Sequence, residues 1–265
     1  MSHSKAYTYV DAGTAVLGND WVERQWSAFL GRTISLVQKP GGEWVAHANP
    51  EFEVVADGRR LGIMDLGDIE WSEVYTRFGA GLVSRQSGPE LMLASGFFAF
   101  HENPGMVRST FLVNRSGAPL HCERVCIELL AVERAGVCVA TQQFAKRGDA
   151  ARWQTDEPAA ALLRGGHGLL LGIKGGGVYE LFAPDPGHCA LVAPEPGTLA
   201  PGGIAHLPDT YLLPFEGDDL DAVRTGPFAE MLLLVRKMKK WEAEVQAMQD
   251  GLKDYTGQGN DGTHN

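Results

Sequence analysis

The sequence lacks any apolar run that could cross a membrane as a helix. A spanning helix needs about 20 consecutive apolar residues, and the uninterrupted apolar stretches of this 265-residue chain are much shorter. The N-terminal segment, MSHSKAYTYVDAG, also lacks the charged-then-apolar order of a secretory signal. These absences predict a cytoplasmic protein that has no membrane partner.

Positive charge is also scarce. Lys and Arg together number 23, against 33 for Asp and Glu, which gives a formal net charge of −10. Binding to the phosphate backbone of a nucleic acid needs a basic surface, so the composition argues against a nucleic-acid partner. It is compatible with neutral ligands such as sugars.

Cysteine is rare, and the four cysteines form no recognisable framework. Cys122 and Cys126 would lie on one face of a strand, about 13 Å apart, which is too far for a disulfide. None of the four has the spacing of a zinc site. We therefore expect buried free thiols in a reducing compartment, Cys138 and Cys189 included, and we predict neither a metal nor a cofactor.

Glycine and proline, by contrast, are abundant, and 33 Gly with 14 Pro suit many short strands separated by turns. The clearest hairpin pattern consists of two apolar runs, Leu91–Phe100 and Met106–Asn114, joined by Asn103-Pro104-Gly105. Both runs are apolar on both faces, which predicts strands in the middle of a layered β-structure. We expect five side chains of this hairpin to be almost wholly buried: Phe98, Phe100, Val107, Phe111 and Val113.

The character of the sequence changes after residue 214. The acidic segment EGDDLDAV, residues 216–223, could ligate calcium through oxygen atoms, but it lacks the ligand spacing of a known calcium loop. An N-terminal helix cap is the favoured interpretation. Gly226-Pro227 then precedes a helical pattern from Phe228 to about Gly251.

Apolar residues recur along this helix at alternating spacings of three and four, an a/d seam of about three heptads. Such a seam must be covered by a second copy of the chain, by a separate catalytic partner, or by the chain's own sandwich. Trp241 would anchor an intermolecular contact. The predicted partner-binding residues are Met231, Leu234, Met238, Trp241, Val245 and Met248.

Six polar or aromatic residues are candidates for a carbohydrate site. Indole rings stack on sugar faces and donate hydrogen bonds, although packing in the core is the alternative for each tryptophan. A His-Glu pair at the hairpin tip offers a base and an acid. Adjacent residues of an extended chain point to opposite faces, however, so two solvated residues are the alternative there. The candidates are Trp21, Trp26, Trp44, Trp71, His101 and Glu102.

Several segments share a strand-and-turn pattern: GNDWVERQW at Gly18–Trp26, GRTISLVQKPGGEWV, PEFEVVADGRRLG and FFAFHENPGMVRSTFLVNRSGAPL. Over about residues 10–215 they resemble the N-terminal β-supersandwich domain of the alpha-galactosidases of glycoside hydrolase family 36. The resemblance implies a galactose-mutarotase-like antiparallel fold. In that family the catalytic aspartates lie in a (β/α)₈ barrel that follows this domain. No segment here matches the motifs that carry them, so the resemblance assigns no catalytic residue.

The sequence therefore predicts a mainly β chain with one antiparallel supersandwich over residues 6–214. An acidic linker and an amphipathic helix follow over 215–254, and a disordered tail over 255–265. Within the sandwich, residues 149–166 are interpreted as a loop that ends in a short helix, Pro158–Leu163.

The predicted function is that of a non-catalytic, carbohydrate-associated domain that binds a glycan or docks to a separate glycosidase barrel. One alternative is a mutarotase-like sugar epimerase, which would use His101 or His206 with Glu102 or Glu180. The other is a purely structural assembly module.

Overall fold

The computed structural model describes the backbone of residues 5–45, 49–132, 138–140, 145–147, 150–155, 159–174, 177–182, 187–193 and 196–257. Side chains are described over 5–45, 49–132, 161–174, 192 and 196–246. Within these residues the fold is a β-supersandwich of three sheets followed by a C-terminal helix. All the strand pairings described are antiparallel, as the sequence predicts.

The strands follow one another along the chain with short connections. In order they are β1 (Tyr7–Val10), β2 (Thr14–Gly18), β3 (Val22–Ser27), β4 (Thr33–Gln38), β5 (Gly42–Glu43), β6 (Glu51–Ala56), β7 (Arg59–Gly62), β8 (Ile69–Thr76), β9 (Gly79–Ser87), β10 (Leu91–Phe100), β11 (Met106–Asn114), β12 (Leu120–Val132), β13 (Cys138–Ala140), β14 (Ala145–Arg147), β15 (Ala150–Thr155), β16 (Ala159–Arg164), β17 (His167–Ile173), β18 (Gly177–Phe182), β19 (Gly187–Ala193), β20 (Gly197–Leu199) and β21 (Ile204–Glu216). A short 3₁₀ turn, Ile63–Asp65, follows β7.

Three sheets arise from these strands. The first sheet has the order β1-β2-β3-β4-β5. The central sheet has the order β13-β16-β17-β21-β11-β10-β9-β8, which places the predicted hairpin in its interior. The third sheet has the order β14-β15-β18-β19-β12-β6-β7, with β20 paired to β12.

The two faces of the central hairpin bury different layers. Phe97 and its neighbours of the same parity face the main core between the sheets, whereas Phe98, Phe100 and Val107 belong to a second core beneath the C-terminal helix. Burial of the last three residues is confirmed. The prediction is wrong for Phe111 and Val113, which are only half-buried.

The reason lies in the side-chain alternation along β11. Arg108, Thr110 and Leu112 occupy its inner face and are buried, so the residues between them point outward. The described side chains of the helix cover that outer face at Val107, and they leave Phe111 and Val113 half-exposed.

The predicted helix Pro158–Leu163 is also wrong. Ala159–Arg164 forms β16, which pairs with β17 along its whole length and with β13 on its other edge. The helix propensity of an Ala-rich run is a weak preference, and pairing on both edges within a sheet overrides it.

The C-terminal region begins with a short helix, α1 (Leu220–Val223). Asp219 Oδ1 accepts a hydrogen bond from the N–H of Ala222 at 3.0 Å, so the acidic segment acts as the predicted cap. A kinked segment, Arg224–Phe228, contains Gly226 outside helical dihedrals and leads into α2 (Ala229–Gly257). No helix among the described residues is long and apolar enough to cross a membrane.

Helix α2 lies against the outer face of the central sheet. Met231, Val235 and Met238 are buried in one cluster with Phe98 and Tyr211. The first half of the predicted seam is therefore covered by the chain's own sandwich, as the intramolecular alternative proposed. Helix α2 extends through Gly257, three residues into the predicted disordered tail, and the rest of that tail, from residue 258 onward, lies outside the described residues.

A buried network of four charged side chains joins the three sheets. Arg24 comes from the first sheet, Arg108 from the central sheet, and Glu51 and Glu128 from the third. Arg24 Nη2 lies 2.9 Å from an oxygen of each glutamate, and Arg108 Nη1 lies 3.2 Å from Glu51 and 3.3 Å from Glu128. All four are at most 6% exposed, so their charges are compensated within the core.

The backbone is irregular around this network. Register shifts occur between Arg108 and Thr110, beside Glu128, and between Gln25 and Trp26. A bulge redirects the side chains of the strand that contains it. Glu51 itself has a φ of 66°, a left-handed conformation that costs a non-glycine residue about 1 kcal/mol or more. These local irregularities bring the four charges together.

The two cysteines whose side chains are described are buried, as the sequence predicts. Cys122 and Cys126 are buried free cysteines, and burial raises the pKa of the Cys122 thiol. The side chains of Cys138 and Cys189 lie outside the described residues.

Candidate functional site

The four candidate tryptophans lie in different environments. Trp26 and Trp44 are fully buried and leave no ring face for a ligand. Trp26 packs against Phe97, with 4.6 Å between ring centroids, and the Trp44 Nε1–H donates to Gln38 at 3.0 Å. Burial therefore removes Trp26 and Trp44 from the set of candidate sugar-binding residues.

Trp71 and Trp21 remain half-buried at the surface. The Nε1–H of Trp71 donates to the carbonyl oxygen of Ala28 at 3.0 Å, and its ring lies 5.9 Å from that of Trp26. Trp21 instead lines an open cleft of about 550 Å³. A volume of roughly 300–1,000 Å³ is typical of small-molecule sites, so the cleft beside Trp21 is the candidate functional site.

The described members of the proposed acid–base pairs, His101, Glu102 and His206, do not line this cleft. The Nδ1 atom of His101 accepts a hydrogen bond from the N–H of Ala6 at 3.0 Å, and Glu102 is exposed beside it. His206 lies elsewhere, where its ring packs edge-on against Phe111 at 4.5 Å. The side chain of Glu180 lies outside the described residues.

The cleft forms where three parts of the chain meet. The first sheet supplies Trp21 and the β4–β5 turn, the hairpin tip supplies Pro104, and the end of β21 with α1 forms the opposite wall. The lining includes one indole ring, apolar proline rings, one ammonium and three carboxylates. The charged lining residues are Lys39, Glu216, Asp218 and Asp219.

One buried asparagine, Asn19, fixes the turn that carries Trp21. Asn19 Oδ1 accepts hydrogen bonds from the N–H groups of Trp21 and Val22, each at 3.0 Å. The Asn19 amide donates to the carbonyl oxygens of Phe100 and Asn103 at the hairpin tip, at 3.3 and 3.1 Å. Local bonding of this kind is what makes asparagine a frequent turn residue.

The opposite wall is fixed in the same way. Asn103 Nδ2 donates to the carbonyl oxygen of Pro227 at 3.0 Å, which ties the hairpin tip to the start of α2. Gln38 Nε2 donates to the carbonyl oxygen of Phe215 at 2.8 Å, which ties β4 to the end of β21. The walls are therefore held by internal hydrogen bonds, and less ordering is needed when a ligand binds.

A small polar network supports the edge of the cleft. Lys39 Nζ donates to Tyr7 Oη at 2.8 Å and to the carbonyl oxygen of Asn19 at 3.2 Å, and it lies 3.5 Å from Glu23. Burial and the hydrogen bond to Glu23 raise the pKa of the Tyr7 hydroxyl well above its ordinary value. Burial opposes ionisation of Glu23, but hydrogen bonds from Tyr7 and Gln25 outweigh it and lower its pKa. Lys39 is thereby held beside Trp21.

The candidate partner-binding residues divide into two groups. Met231 and Met238 are buried against the central sheet, whereas Leu234, Trp241 and Val245 are half-buried. The ring of Trp241 meets Phe78 edge-on at 6.0 Å. The side chain of Met248 lies outside the described residues.

Signals for a bound metal are absent from the part of the chain that the structure describes, because no three His, Cys, Asp or Glu side chains converge there.

Comparisons with known proteins come from structure alone, since no family model and no curated protein matches the sequence. The glycoside hydrolase family 36 alpha-galactosidase AgaB from Geobacillus stearothermophilus matches with a TM-score of 0.61 and 9% identity over 80% of this chain and 41% of its own. Alpha-N-acetylgalactosaminidase NagBb from Bifidobacterium bifidum matches with a TM-score of 0.56 and 15% identity over 83% of this chain and 37% of its own.

A TPR-domain containing protein from Parabacteroides distasonis matches as well, with a TM-score of 0.59 and 11% identity over 77% of this chain and 47% of its own. The chain thus spans about two-fifths of the two enzymes and about half of the third protein. At these identities the similarity establishes the fold, and the expected resemblance to a domain of the family 36 alpha-galactosidases is confirmed at that level.

Proposed function

We propose that the chain is a carbohydrate-binding domain and that the cleft beside Trp21 holds a neutral glycan. The observation that carries the proposal is the composition of this cleft: one accessible indole next to proline rings, three carboxylates and one ammonium. Indole stacks on the apolar face of a sugar ring. Carboxylates accept hydrogen bonds from hydroxyl groups, and an excess of them disfavours anionic ligands.

The fold suggests which sugars to test first. The similar structures include enzymes named as an alpha-galactosidase and an alpha-N-acetylgalactosaminidase. We therefore propose alpha-linked galactose or N-acetylgalactosamine as the bound unit. Binding without hydrolysis is the expected behaviour, because hydrolysis that retains configuration requires two carboxyl groups about 5 Å apart on either side of the scissile bond. In the cleft the carboxylate of Asp219 already caps α1, and the other two, Glu216 and Asp218, belong to the same wall, so they do not lie on either side of a bound sugar.

Titration calorimetry with galactose, N-acetylgalactosamine and stachyose tests the proposal. Trp21→Ala should weaken binding about tenfold, since the stacking surface is lost. Trp71→Ala is the matched control, because it removes a half-buried tryptophan that does not line the cleft. Thermal unfolding of both variants verifies that they are folded.

Two results would contradict the proposal. One is that none of the three sugars binds to the intact chain. The other is that Trp21→Ala and Trp71→Ala weaken binding equally, which would indicate a general loss of structure. A third result would show that the chain is an enzyme and does more than bind the sugar. It is release of nitrophenol from a nitrophenyl alpha-galactoside that a single carboxylate substitution abolishes.

A second proposed role, docking to a partner, rests on the far half of the α2 seam. Trp241 and Val245, beyond the half of the helix that the sheet covers, are half-buried, whereas Leu234 packs against the edge of the covered cluster. Trp241 presents an aromatic side chain of the type that anchors protein interfaces. We propose a second copy of this chain as the occupant, since the seam has the a/d spacing of a self-pairing helix.

A further inference from the structure

A second groove, of about 480 Å³, lies on the outer face of the central sheet beside α2. It is separate from the cleft beside Trp21, with which it shares no lining residue. Its floor comes from β11 and β21, and one wall comes from the helix. Its polar, charged and aromatic lining includes Ser109, Phe111, Lys174, His206, Asp209 and Lys239.

Asp209 provides a fixed hydrogen-bond acceptor in this groove. It is 5% exposed, and its Oδ1 accepts a hydrogen bond from Ser109 Oγ at 2.6 Å. Its Oδ2 forms an ion pair with Lys239 of the helix. A carboxylate has about four lone-pair sites, so these two contacts leave capacity for a ligand hydroxyl.

The aromatic part of the groove is preformed. The ring of His206 is exposed and stands edge-on to Phe111, with 4.5 Å between centroids and an interplanar angle of 75°. Phe111 is half-buried, so part of its ring remains available. Together the two rings offer an apolar surface beside the carboxylate of Asp209, an arrangement that suits a sugar ring.

The charge of this groove is opposite to that of the chain as a whole. Lys174 and Lys239 outnumber the single carboxylate of Asp209, whereas the whole chain carries a formal charge of −10. Lys174 is exposed and its backbone N–H donates to the carbonyl oxygen of Asp209 at 2.9 Å, which places it at the groove. Among the described residues no carboxylate forms an ion pair with Lys174, so its ammonium is available to an anion.

We propose that this groove binds a hexose that carries an anionic group, either a carboxylate or a phosphate. The anionic group meets Lys174, the apolar face of the ring lies on Phe111 and His206, and a hydroxyl donates to Asp209. The carboxylate-rich cleft beside Trp21 selects the opposite ligand charge. The inference therefore does not depend on the function proposed for that cleft.

The test compares four probes by titration calorimetry at low salt: galacturonate, galactose 6-phosphate, neutral galactose and inorganic phosphate. At least one of the two anionic sugars should bind. Comparing the affinities for galacturonate and galactose 6-phosphate shows whether the groove prefers the carboxylate or the phosphate. Galactose and inorganic phosphate should each bind at least about tenfold more weakly, since each lacks one half of the interaction.

Variants then assign the binding to the groove. Lys174→Gln should weaken binding of the anionic sugar about tenfold, because one charge-assisted hydrogen bond is lost. Lys237→Gln is the matched control, since it removes the same charge from an exposed position that does not line the groove. Lys174 is exposed, so its replacement leaves the fold intact. His206→Ala tests the contact between the sugar ring and the imidazole, and it should also weaken binding of the anionic sugar.

Four outcomes overturn the inference. They are no binding of either anionic sugar, binding of galactose or inorganic phosphate as tight as that of the preferred anionic sugar, equal weakening by Lys174→Gln and Lys237→Gln, and loss of anionic-sugar binding in Trp21→Ala. The last comparison also separates this inference from the proposed function, because Trp21→Ala should affect neutral galactosides alone.

Discussion

Replacing Arg24 by methionine should destabilise the chain by about 3–5 kcal/mol, the usual cost of removing one partner from a buried ion pair. Arg24 donates to Glu128 through both Nη atoms, at 3.3 and 2.9 Å, and to Glu51 through Nη2 at 2.9 Å. Methionine is an apolar side chain of similar volume that can pack against Trp26 and Phe97, the rings that the guanidinium faces. The main loss is therefore electrostatic, with only a small contribution from a cavity.

The magnitude follows from the geometry. One oxygen of Glu51 and one of Glu128 both lie 2.9 Å from the same nitrogen of Arg24, so they are within about 6 Å of each other. At an effective dielectric constant of about 20, two negative charges at that distance repel each other by about 3 kcal/mol. In the variant, Arg108 is the one remaining cation of the four-residue network.

The variant should also reverse the dependence of stability on pH. Burial opposes the charge of Glu128, but Arg24 and Arg108 outweigh burial and hold its pKa below the ordinary value of 4.5. The native chain therefore gains stability from this group above that pH and loses it as the pH falls through the lowered pKa. With Arg24 gone, burial and the neighbouring negative charge outweigh Arg108, so the folded pKa of Glu128 should rise and stability should increase as the pH falls from 7 toward 5.

Urea unfolding at pH 5, 6 and 7, followed by tryptophan fluorescence and circular dichroism, measures both effects. Arg59→Met is the control, because the Arg59–Glu90 pair is exposed and its loss should cost less than about 1 kcal/mol. Adding Glu128→Leu to Arg24→Met restores charge balance and should recover at least half of the loss. A cost for Arg24→Met no greater than that for Arg59→Met, or an unchanged pH slope, would refute the reasoning.

Further predictions concern the helix and a close contact between strands β9 and β10. Met231→Ala should cost about 2–5 kcal/mol of folding stability because its side chain is fully buried, whereas Trp241→Ala should mainly weaken self-association, by about 2 kcal/mol or more. Sedimentation that shows a monomer for the intact chain would contradict docking to a second copy. Gly79→Ala should lower the melting temperature by several degrees, since an added Cβ would lie 1.9 Å from the carbonyl oxygen of Ala99. Gly96→Ala, whose Cβ would meet nothing within 4 Å, is its control, and equal melting temperatures would show that the strand contact at Gly79 can relax.

Much of the fold could be predicted because its signals are local. The Pro-Gly connection and the two apolar runs specify the central hairpin, and the acidic segment before α1 specifies a cap. The ion network could not be found in this way, because Arg24 and Glu128 are 104 residues apart in the chain. A partial signal was present in β11, where Arg108 shares the parity of the buried Leu112. An arginine on an inward face indicates a buried partner, but the sequence does not say which.

The candidate site was only partly predictable for a related reason. Residue type alone suggested all four tryptophans as sugar-binding candidates. The alternation of side chains along a strand could have distinguished the buried Trp26 from the accessible Trp21. Trp26 shares the inward face of β3 with Val22 and Arg24, whereas Trp21 lies in the turn before the strand. The other walls of the cleft come from Pro104 and the end of β21, far along the chain. Their meeting depends on the packing of sheets, which no local pattern specifies.

The apolar residues of the C-terminal helix belong to two different surfaces, one that faces the sheet and one beside it. The stripe that faces the sheet is Phe228, Met231, Val235 and Met238. Its next position is Glu242, whose pKa burial raises, so apolar residues no longer occupy that face.

The predicted seam shares Met231 and Met238 with this stripe, and Leu234 packs partly against the same cluster. Beyond Met238 the seam continues through Trp241 and Val245 on the adjacent flank, where both side chains are half-buried. A helix that needed only to cover the sheet would have no reason to keep a second apolar stripe past Met238, since exposed apolar surface favours association. The docking that we propose for this flank would therefore leave the sheet-facing stripe in place, and it would not require the sandwich to open.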